Sequence, residues 1–271
     1  MKNKLVYDVG VGDAQDTLFF LKKGYKVVAI DANPTIIENT RKVFSKFITN
    51  KQLILLHLAV SNSDKKKVNF YLSEKLEWSS LRKSIADRET ISKNKTVVQQ
   101  KKLSSVMKKY GVPYYCKIDV EGADLRCLQS LKEIKKLPAF ISAESECVAQ
   151  NEYLSDKQAL LVLETLFDLG YKKFKLVNQN SFSVLQPNKH FYESSSFITN
   201  IKKMFRLYDH ETFVLVPKEK NDFCFGDDLM GEWCDYKTAR EMLLFHRKDY
   251  FKLKNLSNYG FWCDWHAKLS V

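Results

Sequence analysis

The 271-residue chain has no apolar run approaching the ~18 residues of a membrane span, so no transmembrane helix is expected. The first expected strand begins within a few residues of Met1, which leaves no room for a signal peptide and makes the cytoplasm the expected location. There is no C-x-x-C pair. Cys116, Cys127, Cys147, Cys224, Cys234 and Cys263 form no zinc-like spacing with the five histidines, so they read as reduced, packed thiols. Neither a disulfide scaffold nor a metal is expected. No helix-turn-helix, RNP-type or zinc-finger signature accompanies the formal charge of +12. That charge draws anionic partners, whether nucleic acid, acidic glycan, phospholipid headgroup or phosphorylated substrate. Many of its lysines nevertheless sit in solvated runs such as Asp64-Lys65-Lys66-Lys67 and Lys132 to Lys136. With 45% apolar residues and a mean hydropathy of -0.34, the chain can bury a full core.

Leu5-Val6-Tyr7-Asp8-Val9-Gly10-Val11-Gly12-Asp13 reads as a strand and a glycine turn. A helix is predicted from Ala14 to Lys23, and Lys26 to Asp31 reads as a second strand ending in an acid. This order makes a nucleotide-binding half-site. Gly10 and Gly12 let the main chain approach a ligand, and the helix aims its partly positive N-terminus there. Asp31 lies 19 positions after Gly12, where a carboxylate accepts hydrogen bonds from ribose hydroxyls. The dinucleotide fingerprint G-x-G-x-x-G is incomplete, because position 15 is Gln, and Asp8 and Asp13 would repel a pyrophosphate. S-adenosylmethionine carries no phosphate but has a sulfonium and an ammonium, which suit those acids. A plain structural βαβ unit is the alternative.

The rest of the chain alternates. A helix is predicted over Thr35 to Phe47 behind Pro34, and a buried parallel strand over Leu53 to Val60. Val68 to Leu72 and Thr96 to Leu103 read as an inserted strand pair bracketing Trp78-Ser79-Ser80-Leu81. Strands at Tyr114 to Val120 and Ala139 to Glu144 alternate with helices at Ala123 to Leu131 and Asp156 to Leu169, the last closed by Gly170. Tyr171 to Val177 and Glu211 to Val216 read as terminal antiparallel strands. Residues 1–218 are taken as one α/β domain, Rossmann-like with helices on both faces of a mostly parallel sheet. Residues 219–271 are taken as an aromatic-rich appendage suited to acceptor binding.

In Lys117-Ile118-Asp119-Val120-Glu121-Gly122, strand alternation puts Lys117 and Asp119 on one side, with Glu121 if the strand persists, near a carboxyl edge where open α/β sheets bind ligands. A Lys-to-Asp ion pair with Glu121 at a helix N-terminus is the structural alternative.

These stretches resemble the FkbM-type methyltransferases of the S-adenosylmethionine-dependent class I superfamily. The resemblance rests on Tyr7 to Gly12, Ile30-Asp31-Ala32-Asn33-Pro34, His57-Leu58-Ala59-Val60-Ser61, Ser79-Ser80-Leu81 and Lys117 to Asp124, over roughly residues 5–180. It implies a seven-stranded class I methyltransferase fold, S-adenosyl-L-methionine as cofactor and O-methylation of a hydroxyl, commonly on a sugar, glycan or natural product. By this resemblance Asp8, Gly10 and Gly12 hold the methionine part and Asp31 the ribose. Ala59, Val60 and Ser61 line the adenine side, and Asp119 lies near the reactive methyl; Asp13, Ala32 and Asn33 are counted in the same site. Asp13-Ala14-Gln15 departs from the family's usual small residues.

Candidate bases are Asp119, Glu121, Lys117 if burial depresses its pKa, and His266 in Trp262-Cys263-Asp264-Trp265-His266. His57, in an apolar strand, reads as a core or cofactor-edge residue, and His190, His210 and His246 lack a companion. Phe223 to Trp233 carries the glycines and paired acids of an acceptor lid or weak metal site, or of a solvated loop. The expected partner is a hydroxylated acceptor, of acidic character where the charge steers it. A nucleic-acid methyltransferase is the rival reading, opposed by the lack of an N/D-P-P-Y/F tetrapeptide. A non-catalytic S-adenosylmethionine-binding protein is another.

Overall fold

A computed structural model describes residues 4–87, 94–145, 155–179, 181–205, 207, 212–216, 225–252 and 263–269. Chain packing divides it into residues 1–143 and 144–271, a division that falls before the expected 218/219 boundary.

In the first unit β1 (Leu5–Val9), α1 (Gln15–Lys22), β2 (Lys26–Asp31), α2 (Pro34–Val43), α3 (Ser45–Thr49) and β3 (Leu53–His57) follow one another. β1 and β2 are apolar almost throughout and nearly wholly buried, as strands covered on both faces must be. α2 starts where Pro34 fixes φ and the Asn33 side chain accepts from the Thr35 amide at 3.0 Å; Ile36, Ile37 and Thr40 are its buried side. The helix expected as one piece to Phe47 is broken at Phe44, which leaves the helical region.

The expected strand over Leu53 to Val60 also breaks, at Leu58. β4 (Ala59–Ser61) joins a second sheet with β5 (Lys65–Leu72) and β6 (Asn94–Lys102), in the order β4-β6-β5. This is the expected insertion, and it carries the short helix α4 (Lys83–Ala86). Its inner face packs Ala59, Phe70 and Val98 against Ala32 beside the end of β2. Helix α5 (Leu103–Tyr110), β7 (Tyr115–Ile118), α6 (Asp124–Ser130) and β8 (Phe140–Glu144) complete the unit. The main sheet runs β8-β7-β1-β2-β3, all parallel. The chain leaves β1 toward β2 on one side and returns to β7 on the other. The crevice beyond the carboxyl ends of β1 and β7 is therefore a topological switch point.

The second unit contains α7 (Asp156–Ala159), α8 (Leu161–Asp168), β9 (Tyr171–Asn178), β10 (Val184–Pro187), α9 (Lys189–Glu193), α10 (Phe197–Phe205), β11 (Phe213–Val216), α11 (Tyr236–Lys252) and β12 (Cys263–Leu269). Its strands are antiparallel, in the order β11-β10-β9-β12. The C-terminal segment thus supplies a sheet strand, with Trp265 wholly buried. Cys116, Cys127, Cys234 and Cys263 are buried and in no disulfide, and Cys147 and Cys224 lie outside the described residues. No helix among the described residues is long and apolar enough to cross a membrane.

Candidate functional site

Gly10 follows β1 with φ 95°, and its amide donates to Ile30 O at 2.9 Å. A Cβ there would stand 1.7 Å from the carbonyl oxygen of Asp119, so the ends of β1 and β7 approach as closely as backbones can. Gly12, with φ 54°, is different: a Cβ would meet nothing within 4 Å, and the turn faces open space. Ala14 also has a positive φ, 65°, as the residue before α1. Asp13 is exposed and folds back on its own turn, accepting from the Gln15 amide and side chain at 3.1 and 2.7 Å.

Asp31 locks this turn from β2. Its Oδ2 accepts from the Val11 and Gly12 amides at 2.9 and 3.4 Å, and its Oδ1 from the Asn33 amide at 2.7 Å. Burial raises its pKa, and these amides oppose the rise. The Ala32 amide acts in the same sense, so four amides meet the roughly four lone-pair sites of the carboxylate. Asn33 extends the connection, its side chain donating to Ser79 Oγ at 3.2 Å. Ala32, Ala59, Val60 and Ser61 are all buried, the last three in β4.

Four charged groups meet beneath and beside the turn. Lys117 Nζ lies 2.7 Å from Asp16 Oδ2 and 3.2 Å from Asp119 Oδ2, and Asp8 stands opposite Lys117 in the β1–β7 register. Asp8 is wholly buried. Its Oδ2 accepts from the Thr17 hydroxyl at 2.5 Å, and its Oδ1 has no hydrogen-bond partner among the described residues. Burial pushes its pKa up to about 7 against the pull of Lys117. Burial alone would lower Lys117, but Asp119, Asp16 and Asp8 outweigh it and hold the ammonium well above its ordinary pKa. The idea of Lys117 as a base with a depressed pKa is corrected accordingly: it is a protonated counter-charge. Asp119 keeps a third of its side chain exposed.

Glu121 does not continue the alternation. β7 ends at Ile118, the Asp119 amide goes to Val9 O, and Glu121 and Gly122 turn with φ 47° and 82°. This turn is pinned by the insertion: Ser80 Oγ donates to Glu121 O at 2.7 Å, and a Cβ on Gly122 would stand 2.2 Å from Ile85 Cδ1. Sequence reading passed over Asp16 and Thr17 and gave Ser80 no role beyond the resemblance. In sequence Asp16 is an ordinary first-turn helix acid, and only the fold brings Lys117 to it.

A cleft of about 230 Å³ opens beside the turn, lined by Gly12, Ala14, Ile36, Thr40, Phe44 and Leu76 among others. Its lining includes none of Asp31, Lys117 and Asp119. His57 is exposed rather than in the core, its Nε2 3.2 Å from Ala32 O.

In the second unit His266 is buried in β12, opposite Lys175 of β9. Lys175 Nζ donates to Leu229 O at 2.6 Å and sits 4.5 Å over the Trp233 ring; burial pushes its pKa down to about 8, opposed by Asp227. Asp227 accepts from Lys268 at 2.7 Å and from Trp233 Nε1 at 3.1 Å, so this acid serves loop packing. Among the described residues no group of three or more His, Cys, Asp or Glu could hold a metal. His190 is exposed; His210, Trp262, Phe223 and the His246 side chain lie outside the description.

No curated protein matches the chain. Among solved structures it is similar to a precorrin-6y C5,15-methyltransferase from Geobacter metallireducens, at 12% identity over 69% of this chain and 71% of that one, with a TM-score of 0.38. It is also similar to a SAM-dependent methyltransferase from Geobacter sulfurreducens in complex with S-adenosyl-L-homocysteine, at 10% identity over 98% and 84%, with a TM-score of 0.38. The assignment rests on neither. A profile of the methyltransferase FkbM domain matches residues 7–173, more than half of the chain. The chain belongs to the FkbM family of S-adenosylmethionine-dependent methyltransferases.

Proposed function

We propose that the protein transfers a methyl group to a hydroxyl of a sugar, glycan or related small molecule at the carboxyl ends of β1, β2 and β7. The observation that carries this reading is Asp119: a partly exposed carboxylate beside the Gly10 backbone, steadied at 3.2 Å by a protonated Lys117. S-adenosylmethionine, when bound, supplies a methyl group on a cationic sulfur. The donor set fits it. The turn is open above Gly12, carboxylates surround it, and Lys117 is already neutralised by two of them, leaving little to attract a pyrophosphate.

In this reading a ribose hydroxyl shares an Asp31 carboxylate oxygen with the amides of the turn it holds. Gly10 and Gly12 keep side chains out of the ligand's path. Asp8, Asp13 and Asp16 contribute negative potential toward a cationic ligand, and Ala32, Asn33, Ala59, Val60 and Ser61 flank the adenine. Asp119 orients the acceptor hydroxyl and takes its proton as the new C–O bond forms, with Glu121 the second carboxylate on the same turn. Lys117 acts through Asp119 as a positioning residue.

The test is a methyl-transfer assay over sugars, lipid-linked glycans, hydroxylated natural products, and random RNA and DNA. Transfer to a hydroxylated small molecule is expected, and Asp119→Asn should lower its turnover by about 10²- to 10⁴-fold with the fold intact. Transfer to nucleic acid alone would overturn the acceptor class. An undiminished Asp119→Asn would remove Asp119 as base.

A further inference from the structure

The helix α10 is built inside out. Its sequence, Phe197-Ile198-Thr199-Asn200-Ile201-Lys202-Lys203-Met204-Phe205, places Phe197, Ile198, Ile201, Met204 and Phe205 on one stripe roughly 120° wide at 100° per residue. In a surface helix of a globular protein that stripe faces the core. Here it is the polar side that is tied to the preceding turn. Lys203 Nζ donates to Tyr192 O and Ser194 O, both at 2.8 Å, closing the carbonyl end of α9; Asn200 Nδ2 donates to Ser195 O at 3.2 Å, and Thr199 Oγ1 meets Ser196 Oγ at 3.0 Å. Most of the stripe is left to solvent: Phe197 is 79% exposed, Ile198 67%, Met204 73% and Phe205 65%, with Ile201 between them half-buried, and Leu207 beyond the helix is 57% exposed. Scattered surface apolar residues need no explanation, but four large exposed ones on one helix face do.

We propose that α10 is a docking element for an anionic phospholipid surface, entering it with its apolar stripe. The charge pattern selects this occupant. Lys202 borders the stripe, Arg206 follows Phe205 in sequence, and from Lys189 to Leu207 Glu193 is the only acid, in a chain of formal charge +12. A second copy of so basic a chain is repelled by the same charge. A nucleic acid would use the lysines but has no place for Ile198 and Met204. Apolar side chains flanked by cations are what an interfacial helix needs at an acidic headgroup layer, the side chains reaching the acyl boundary and the cations the phosphates. The proposal is independent of the acceptor's identity.

The test is co-sedimentation of the full chain with phosphatidylcholine vesicles with and without phosphatidylglycerol. Binding to the phosphatidylglycerol vesicles is expected to exceed that to phosphatidylcholine alone by about tenfold or more and to weaken with salt. Phe205→Ser should lower the apparent partition constant by about tenfold, and Phe197→Ser with Phe205→Ser by about 100-fold. Thermal unfolding and S-adenosylhomocysteine affinity should stay unchanged in both variants. Three results would each overturn the proposal: no binding to either vesicle, a concentration-dependent dimer abolished by the double substitution, or a lowered unfolding midpoint showing that the stripe packs on the chain itself.

Discussion

Replacing Lys117 by Met removes the cation at the centre of the strand-end cluster and leaves Asp8, Asp16 and Asp119 facing one another. At an effective dielectric of about 20, charges 2.7 and 3.2 Å apart attract by roughly 6 and 5 kcal/mol before desolvation is counted. Most of that offsets the burial of the charges themselves. Breaking a buried pair from one side costs about 3–5 kcal/mol net, and the partial exposure of Asp119 screens its share, which points to the lower end. With a urea slope of about 2 kcal/mol per molar, the midpoint should fall by roughly 1.5 M. The pH dependence follows from the direction of the shifts. The pKa of Lys117 is raised on folding, so its contribution is fully present below its ordinary value of 10.5 and is lost only above it; wild type is insensitive to this group between pH 5 and 8. In the variant Asp8 loses the counter-charge that lowers its pKa, and it binds its proton more readily as the pH falls. The deficit should therefore shrink from pH 8 to pH 5. Urea unfolding followed by circular dichroism at both values is the assay. A deficit below about 1 kcal/mol, or one equal at both pH values, would mean that Lys117 is not the counter-charge of this cluster.

Gly10→Ala should cost more than about 4 kcal/mol and abolish ligand binding, because its Cβ would stand 1.7 Å from the Asp119 carbonyl at a φ of 95°; a melt close to wild type would mean that the ends of β1 and β7 are not so near. The pKa of Asp8 is raised on folding from 3.8 to about 7, so the native state binds the extra proton and loses stability as the pH rises from about 4 through 7. Asn cannot ionise, and the stability of Asp8→Asn relative to wild type should improve by roughly 2–4 kcal/mol between pH 4 and pH 8. An unchanged difference across that range, measured by urea unfolding, would contradict the buried, strained charge.

β1 and β2 could be read to the residue, because a run of apolar side chains buried on both faces has no other economical home and the glycine turn and Asp31 punctuate it. The single strand expected over Leu53 to Val60 shows the limit of that signal. Apolarity did not mark burial here, since in the edge strand β3 only Leu53 is buried, and the chain changes sheets at Leu58. Asp8, Gly10, Gly12, Asp31, Lys117 and Asp119 do converge, since a parallel sheet aligns strand ends. The Lys117–Asp16 pair was hidden, being set by how α1 lies against β7. The turn at Glu121 was hidden as well, because it depends on Ser80 and Ile85 from an insertion some 40 residues earlier. In the second unit, β12 finds its partner β9 across 85 or more residues, a distance at which local pattern carries no pairing information. Helices α9, α10 and α11 lay outside the expected elements, although the apolar spacing of Phe197, Ile198, Ile201, Met204 and Phe205 carries a helical signal.

In the proposed mechanism the turn between β1 and α1, locked by Asp31, holds the methyl donor. Calorimetric titration with S-adenosylhomocysteine tests it directly. One ligand per chain is expected for wild type, with no heat from NAD. Asp31→Ala should weaken binding by about 1.5–3 kcal/mol, roughly 10- to 150-fold, through the lost ribose acceptor and the unlocked Val11 and Gly12 amides. Heat with NAD but none with S-adenosylhomocysteine, or an affinity untouched by Asp31→Ala, would contradict it.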